Sequence, residues 1–420
     1  MNEALLQFIW QFQYFEKTNL KTVCGKKVHI LQPGNLNSNQ GPDFLNARVN
    51  IADTLWSGSV EIHVLASQWV THQHSSDDNY NNVILHVVWQ NDVEMDLGFP
   101  TLELQSLVKN LMLERYALLM TKQQFIPCEN SIATVPEITM LSWKERLLAE
   151  RMQQKATHIK EMLLQNKNHW EETFWWLLAK NFGAKINADA FEAVAKSVSI
   201  SILSKHKNQL QQLEALLLGQ ANLLSEHATD AYAIMLYKEY VFLRKKYNLT
   251  PIFIPVHFLR MRPANFPTIR LVQLAALIQN STHLFSTIME ESDLGKVKKL
   301  FAISANDYWH YHYLIDVASD FKVKQLGKQM TENIIINTII PMLYSYGKMN
   351  GNASLVQKAL RWLTELPTEK NSITEGFHTL GITSLDAADS QFLIHLKNNY
   401  CNHKRCLQCS IGNAILKGQM

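Results

Sequence analysis

Apolar and polar positions change period twice along the chain. From Glu3 to Phe15, Leu5, Leu6, Ile9, Trp10 and Phe12 recur at helical intervals and predict an amphipathic helix. Leu20–Val23 and Lys27–Leu31 flank Cys24-Gly25 and read as two short strands around a tight turn. A loop of turn formers, Pro33 to Asp43, follows. Strict alternation then sets in, with Leu45, Ala47, Val49 and Ile51 on one face of a predicted strand and Asn46, Arg48 and Asn50 on the other. A turn at Ala52-Asp53 leads to a second alternating run at 59–65. There Val60, Ile62 and Val64 face one way, and Glu61 and His63 the other. Ser67 is placed to cap a short helix through Trp69 and His72. The run Val83 to Trp89, apolar except for His86, has the character of a buried central strand. The predicted order is helix, three strands, helix, strand.

Beyond about residue 137 the period is helical almost throughout. Helices are expected around 138–165, 169–182, 188–203, 206–224, 228–247, 268–290, 292–302, 306–318, 328–346 and 352–364. Pro251, Pro255, Pro263 and Pro267 punctuate one long connection. No fixed-period repeat is visible. These patterns imply an α+β chain with three parts: a mixed α/β domain at 1–120, a helical domain at 137–365, and a helical tail with a cysteine cluster at 366–420.

Composition narrows the class. Of 420 residues 47% are hydrophobic, so a packed core is affordable and disorder is excluded. The net charge of +3 says little about partners. Five cysteines, three of them close together near the C-terminus, do not make a secreted disulfide scaffold and point to a reducing compartment. The N-terminus lacks the basic start and small-residue cleavage site of a signal peptide. No stretch approaches the roughly 18 apolar residues of a membrane span. A cytoplasmic protein with no membrane partner is expected.

Candidate chemistry gathers at the two alternating strands. Asp43 opens one, and Glu61 and His63 share a face of the next. If the strands are neighbours, these polar side chains converge at one end of the sheet. Two carboxylates there suit a hard cation such as Mg²⁺ or Mn²⁺, which lowers the pKa of a bound water and neutralises a phosphate. Pro42-Asp43 with Glu61-Ile62-His63 resembles the PD-(D/E)xK signature of restriction-endonuclease-like enzymes. The resemblance implies a helix, three strands, helix, strand core, with Asp43 and Glu61 as metal ligands. It also implies a water-orienting role at the position of His63, where that superfamily has Lys. Glu3 falls at an additional acidic position some members use. A histidine there can orient water, can bind a softer metal such as Zn²⁺, or can mark an inactive corner. His72 and His74, two apart on an expected helix, should diverge, with Asp77 and Asp78 nearby; His86 should be a satisfied core histidine.

Two further segments carry chemistry. Cys401, Cys406 and Cys409, with His403 among them, have the character of a structural Zn²⁺ site whose fourth ligand is His403 or Cys128. An iron–sulfur cluster is the rival. Arg260, Arg262 and Arg270 alternate with aromatic residues and prolines. They either bind nucleic-acid phosphate or pin a long loop to the helical body.

Over nearly its full length, the chain resembles a bacterial family of unassigned function common in Bacteroidetes. The segments that carry this are GPDFLNARV, WSGSVEIHV, RMRPANFPTIRL, DSQFLIHLKNNYC and KRCLQCSIGN. The leading expectation is a metal-dependent nuclease that acts on nucleic acid. A non-catalytic nucleic-acid-binding or scaffold protein on a degenerate nuclease fold is the alternative. A zinc enzyme acting on a small molecule is the third reading. It requires at least three of Glu61, His63, His72, His74 and His86 to share one point.

Overall fold

The computed structural model describes residues 1–121, 124–259, 261–281 and 283–418. The class is the expected α+β, a mixed sheet followed by a mainly helical part. The chain divides into two compact units. One comprises Met1–Glu145, Thr379–Ile382 and His395–Met420, and the other Arg146–His378 and Thr383–Ile394. Among the described residues no helix is long and apolar enough to cross a membrane.

In the first unit, α1 (Glu3–Phe12) starts where the Asn2 side chain accepts the Leu5 N–H, and buries Leu5, Leu6, Ile9 and Trp10. Strands β1 (Val28–Gln32), β2 (Asn35–Leu36), β3 (Phe44–Ile51), β4 (Thr54–Leu65), β5 (Val83–Gln90) and β6 (Thr101–Glu103) make one sheet. Its order is β1-β3-β4-β5-β6, with β2 on β3. β3 and β4 form an antiparallel hairpin across Ala52-Asp53, both left-handed. β4 and β5 are parallel, which demands a crossover. That crossover is α2 (Gln68–Thr71) and two 3₁₀ turns, His74–Ser76 and Asp78–Tyr80. It is the expected helix, shortened, and it carries a histidine pair past the C-terminal end of β4. Gly58 makes the start of this arrangement possible. A Cβ there would lie 2.5 Å from the Asn82 carbonyl oxygen that receives the Ser59 N–H.

Two strand expectations are corrected. Residues 20–23 make no strand; an isolated bridge, Lys21 with Lys27, closes the Cys24-Gly25 turn. The alternation of β3 breaks at its start. Phe44 and Ala47 are buried while Leu45 is 37% exposed. A bulge between Phe44 and Ala47, with Asn46 at φ 60°, inserts one residue and turns Leu45 outward.

The second unit buries a continuous apolar cluster that includes Trp175, Phe191, Leu216, Leu274, Trp309 and Trp362. The expected helix at 188–203 is two helices, Ala188–Ser197 and Ile200–Lys205, and that at 268–290 is Pro267–Asn280 and Leu284–Glu290. The expected helix at 306–318 stops after Asp307–His310 and continues as a small hairpin, His312–Leu314 with Val317–Ala318. Left-handed Asp316 makes the turn, a conformation a helix interior cannot hold. The helix expected at 328–346 runs from Lys328 to Met349 with a π segment at Ile335–Ile339. Pro341 cannot donate to the Asn337 carbonyl four residues back. That carbonyl instead accepts the Asn181 side-chain amide at 3.3 Å.

Candidate metal centre

Asp43 and Glu61 lie across the bulged end of the β3–β4 pair, and each side chain caps backbone of the facing segment. Glu61 Oε2 accepts the Asp43 N–H at 3.0 Å, and Asp43 Oδ2 accepts the Ile62 N–H at 3.2 Å. From α1, Gln7 donates to Asp43 Oδ1 at 2.9 Å. Glu61 is 4% exposed. Burial pushes its pKa up to about 8, and the neighbouring Asp43 and Glu3 charges add to the shift. Asp43 rises to about 6, chiefly through burial, with Gln7 opposing and Glu3 reinforcing. These are carboxylates held together short of a positive charge.

His63 stands two residues on, on the same face and 1% exposed. Its Nδ1 meets His86 Nε2 at 2.9 Å and its Nε2 meets His72 Nδ1 at 3.1 Å. In each contact one ring nitrogen donates and the other accepts. Burial drives His63 down to about 3 and His86 down to about 4, with neighbouring histidines adding to the fall, so both rings are neutral at pH 7. Neutral imidazole is the metal-binding form. Trp69 walls this cluster, its ring 5.3 Å from those of both His74 and His86.

His72 and His74 converge, against expectation. His72 closes α2, Gln73 takes a left-handed conformation at φ 60°, and His74 opens the next turn. The single reversed residue breaks the helical spacing that would have splayed the two rings. One ligand atom from each of His63, His72 and His74 falls within 4.8 Å of the others. Glu61 Oε1 lies 3.5 Å from His63 Nε2 and 3.3 Å from His74 Nε2. The buried His74 Nε2 nevertheless has no hydrogen-bond partner among the described residues. Four N/O ligands at about 2.0–2.1 Å around one ion stand about 3.3 Å apart. The separations 3.1, 3.3 and 3.5 Å are close to single edges of such a shell, while the group whose ligand atoms all lie within 4.8 Å is the three histidines, with Glu61 against two of them. His86 is the buried histidine expected, braced by His63 at one nitrogen. Its Nδ1 has no hydrogen-bond partner among the described residues, so it is buried as expected but not satisfied.

Gln7 and Tyr80 were not singled out in the sequence. Gln7 follows Glu3 by one helical turn, which is the only signal it gave. Tyr80 stacks on His74 with ring centres 3.9 Å apart. Burial, reinforced by Glu61 and Asp43, lifts its hydroxyl to about 12. Asp77 caps its own 3₁₀ turn through the Asn79 N–H, and Asp78 is exposed.

The other predicted residues lie elsewhere. Cys401, Cys406 and Cys409 line one cavity of the first unit together with Cys128. His403 is exposed and outside that lining. Arg260 lies outside the described residues. Arg262 is exposed. Arg270 donates to Gln273 Oε1 at 2.9 Å and to Asn265 Oδ1 at 2.6 Å, and burial lowers its pKa to about 10. It braces the loop ahead of its helix.

Fold and site together define an α+β protein with a carboxylate–histidine centre where β4 passes into the crossover. The chain belongs to the family described as a protein of unknown function, DUF2851, whose model matches residues 3–372. No curated protein and no solved structure matches the chain.

Proposed function

We propose that the first unit is a metal-dependent hydrolase of phosphodiesters, with nucleic acid as the substrate class. The observation that carries the reading is the placement of Glu61. One of its oxygens is tied to Asp43 and the other faces His63 and His74. Asp43 and Glu61 occupy the positions at which the PD-(D/E)xK resemblance puts metal ligands. The element order from α1 to β5, with the two-residue β2 as an added strand, supports the same reading. His63, His72 and His74, with Glu61 against two of them and Asp43 behind it, are the residues that would hold the cation. Mixed imidazole and carboxylate donors favour Mn²⁺ or Zn²⁺ over Mg²⁺. Bound there, a divalent cation supplies a water of lowered pKa and neutralises charge on the phosphate.

The chain's own residues divide the remaining work. His63 is sealed beneath the site, so it serves better as a ligand braced by His86 than as the mobile base that Lys provides in the resembled superfamily. His72 is exposed and His74 half-buried, so the open side of the site lies with them. Gln7 keeps Asp43 oriented. Arg262, exposed on the second unit, is available to nucleic-acid phosphate.

The test is cleavage of single- and double-stranded DNA and RNA with Mg²⁺, Mn²⁺ or Zn²⁺, comparing wild type with Glu61→Ala. Metal-dependent cleavage lost in the variant is expected. Equal residual cleavage in both sinks the catalytic reading and favours a binding or scaffold role. The convergence of three histidines also favours a second reading, a zinc hydrolase of small molecules. Zinc-dependent turnover of a small phosphodiester, with no cleavage of any nucleic acid, would select it.

A further inference from the structure

The cysteines form a second centre, independent of the first. Cys128 and Cys401 are more than half the chain apart in sequence, yet Cys128, Cys401, Cys406 and Cys409 line one cavity. None is in a disulfide. Each thiol is buried enough to push its pKa up, Cys128 and Cys406 to about 12, and neighbouring cysteines add to the rise at all but Cys409. Four thiols brought together from two distant segments gain little as an apolar core. They gain a great deal as thiolates around a cation.

The spacing chooses between one ion and a cluster. A lone Zn²⁺ bonded at about 2.3 Å holds its sulfurs roughly 3.8 Å apart. Among the described residues, the histidine trio is the group of three whose ligand atoms come within 4.8 Å of one another; the four sulfurs make no such group. A cubane, with one thiolate on each of four irons, sets the sulfurs wider.

The surroundings suit an anionic cluster. Lys397 and Lys404 bear on Cys401 and Cys406 through their charge, and Arg405 lies over the Tyr400 ring at 4.5 Å. The Ile411 and Gly412 N–H groups and the Trp143 side chain oppose the rise that burial gives the Cys409 thiol. N–H groups close to the sulfurs tune iron–sulfur centres. Gly412 lets the last helix, Ser410–Lys417, close on this loop: a Cβ there would lie 2.2 Å from the Cys406 carbonyl oxygen. Cys401 ends a π segment, Leu396–Cys401, a local widening that often marks a functional position.

We infer that Cys128, Cys401, Cys406 and Cys409 hold a [4Fe–4S] cluster that fastens the C-terminal segment to the residues around Cys128. The test is anaerobic purification of the full chain from iron-replete cells, followed by metal analysis, acid-labile sulfide assay and visible absorption. About four iron and four sulfide per chain are expected, with a broad charge-transfer band that bleaches on reduction. Cys128→Ser and Cys406→Ser should each lose most of the iron, and Cys24→Ser, on an exposed turn away from the cavity, should keep it. One zinc per chain without sulfide, or no metal at all, overturns the proposal. Because the wild type alone decides between these results, a variant that fails to fold does not obscure the answer.

Discussion

Glu61 serves two neighbours at once, with Oε2 on the Asp43 amide and Oε1 facing two imidazoles. Uncompensated, this is an expensive place for a carboxylate, as its rise to about 8 records. A cation reverses the sign by favouring the ionised form. Loss of a ligand should therefore be felt directly in affinity. His74→Ala is expected to weaken Mn²⁺ or Zn²⁺ binding by at least about 10- to 100-fold, the range seen when even an outer partner of a metal ligand is removed. Calorimetric titration of wild type and variant at pH 7 checks this, and equal affinities would remove His74 from the site. Glu61 and His63 could be placed side by side from the sequence because strand alternation fixes which side chains share a face, whereas Asp43, ahead of the strand whose alternation breaks at its start, was placed by the motif. His72 and His74 could not be read as a pair. Their convergence depends on one left-handed residue, Gln73, whose side chain does not demand that conformation.

At the scale of elements, the sequence carried the periods well and the interruptions poorly. The long helix Glu137–Gln165 and the central strand Val83–Gln90 emerged where expected, because many residues vote for them. The bulge at Asn46 and the hairpin after His310 rest on one or two residues each, and periodicity averages over these. Long-range polar pairing is equally silent. Glu214 sits in the helix Leu210–Gln220, 0% exposed, inside what reads as a uniform apolar run. It accepts the Tyr232 hydroxyl at 2.8 Å, the Trp309 indole N–H at 3.0 Å and the Asn306 amide at 2.7 Å. Burial outweighs these donors and raises its pKa from 4.5 to about 7. A carboxyl with a raised folded-state value binds its proton more tightly folded than unfolded. Its contribution to stability is complete below the unfolded value near 4.5 and is lost as pH rises through about 7. Glu214→Gln cannot ionise. From about pH 5 to about pH 8, the melting temperature of the wild type should therefore fall more steeply than that of the variant. Parallel curves would show that Glu214 does not titrate in this window.

For the whole molecule, the division into two units makes metal binding a local stabiliser with a measurable reach. Residues proposed to hold the cation, Asp43 to His74, all belong to the first unit, and the second has its own apolar cluster. Each unit can then unfold as its own cooperative body. A cation that binds only the folded site adds RT ln(1 + [L]/Kd), about 2.7 kcal/mol at a hundredfold excess over Kd. In a unit of about 150–250 residues, each kcal/mol moves the midpoint by roughly 2–4 °C, so a shift of about 5–10 °C is expected in the transition of the first unit. Calorimetric scans with and without Mn²⁺ or Zn²⁺ should resolve that movement, and Glu61→Gln should abolish it. The second transition supplies the internal reference, since nonspecific metal effects would displace both together. A first transition that ignores the metal, or that moves equally in Glu61→Gln, would mean that the carboxylate and histidines hold one another without a cation.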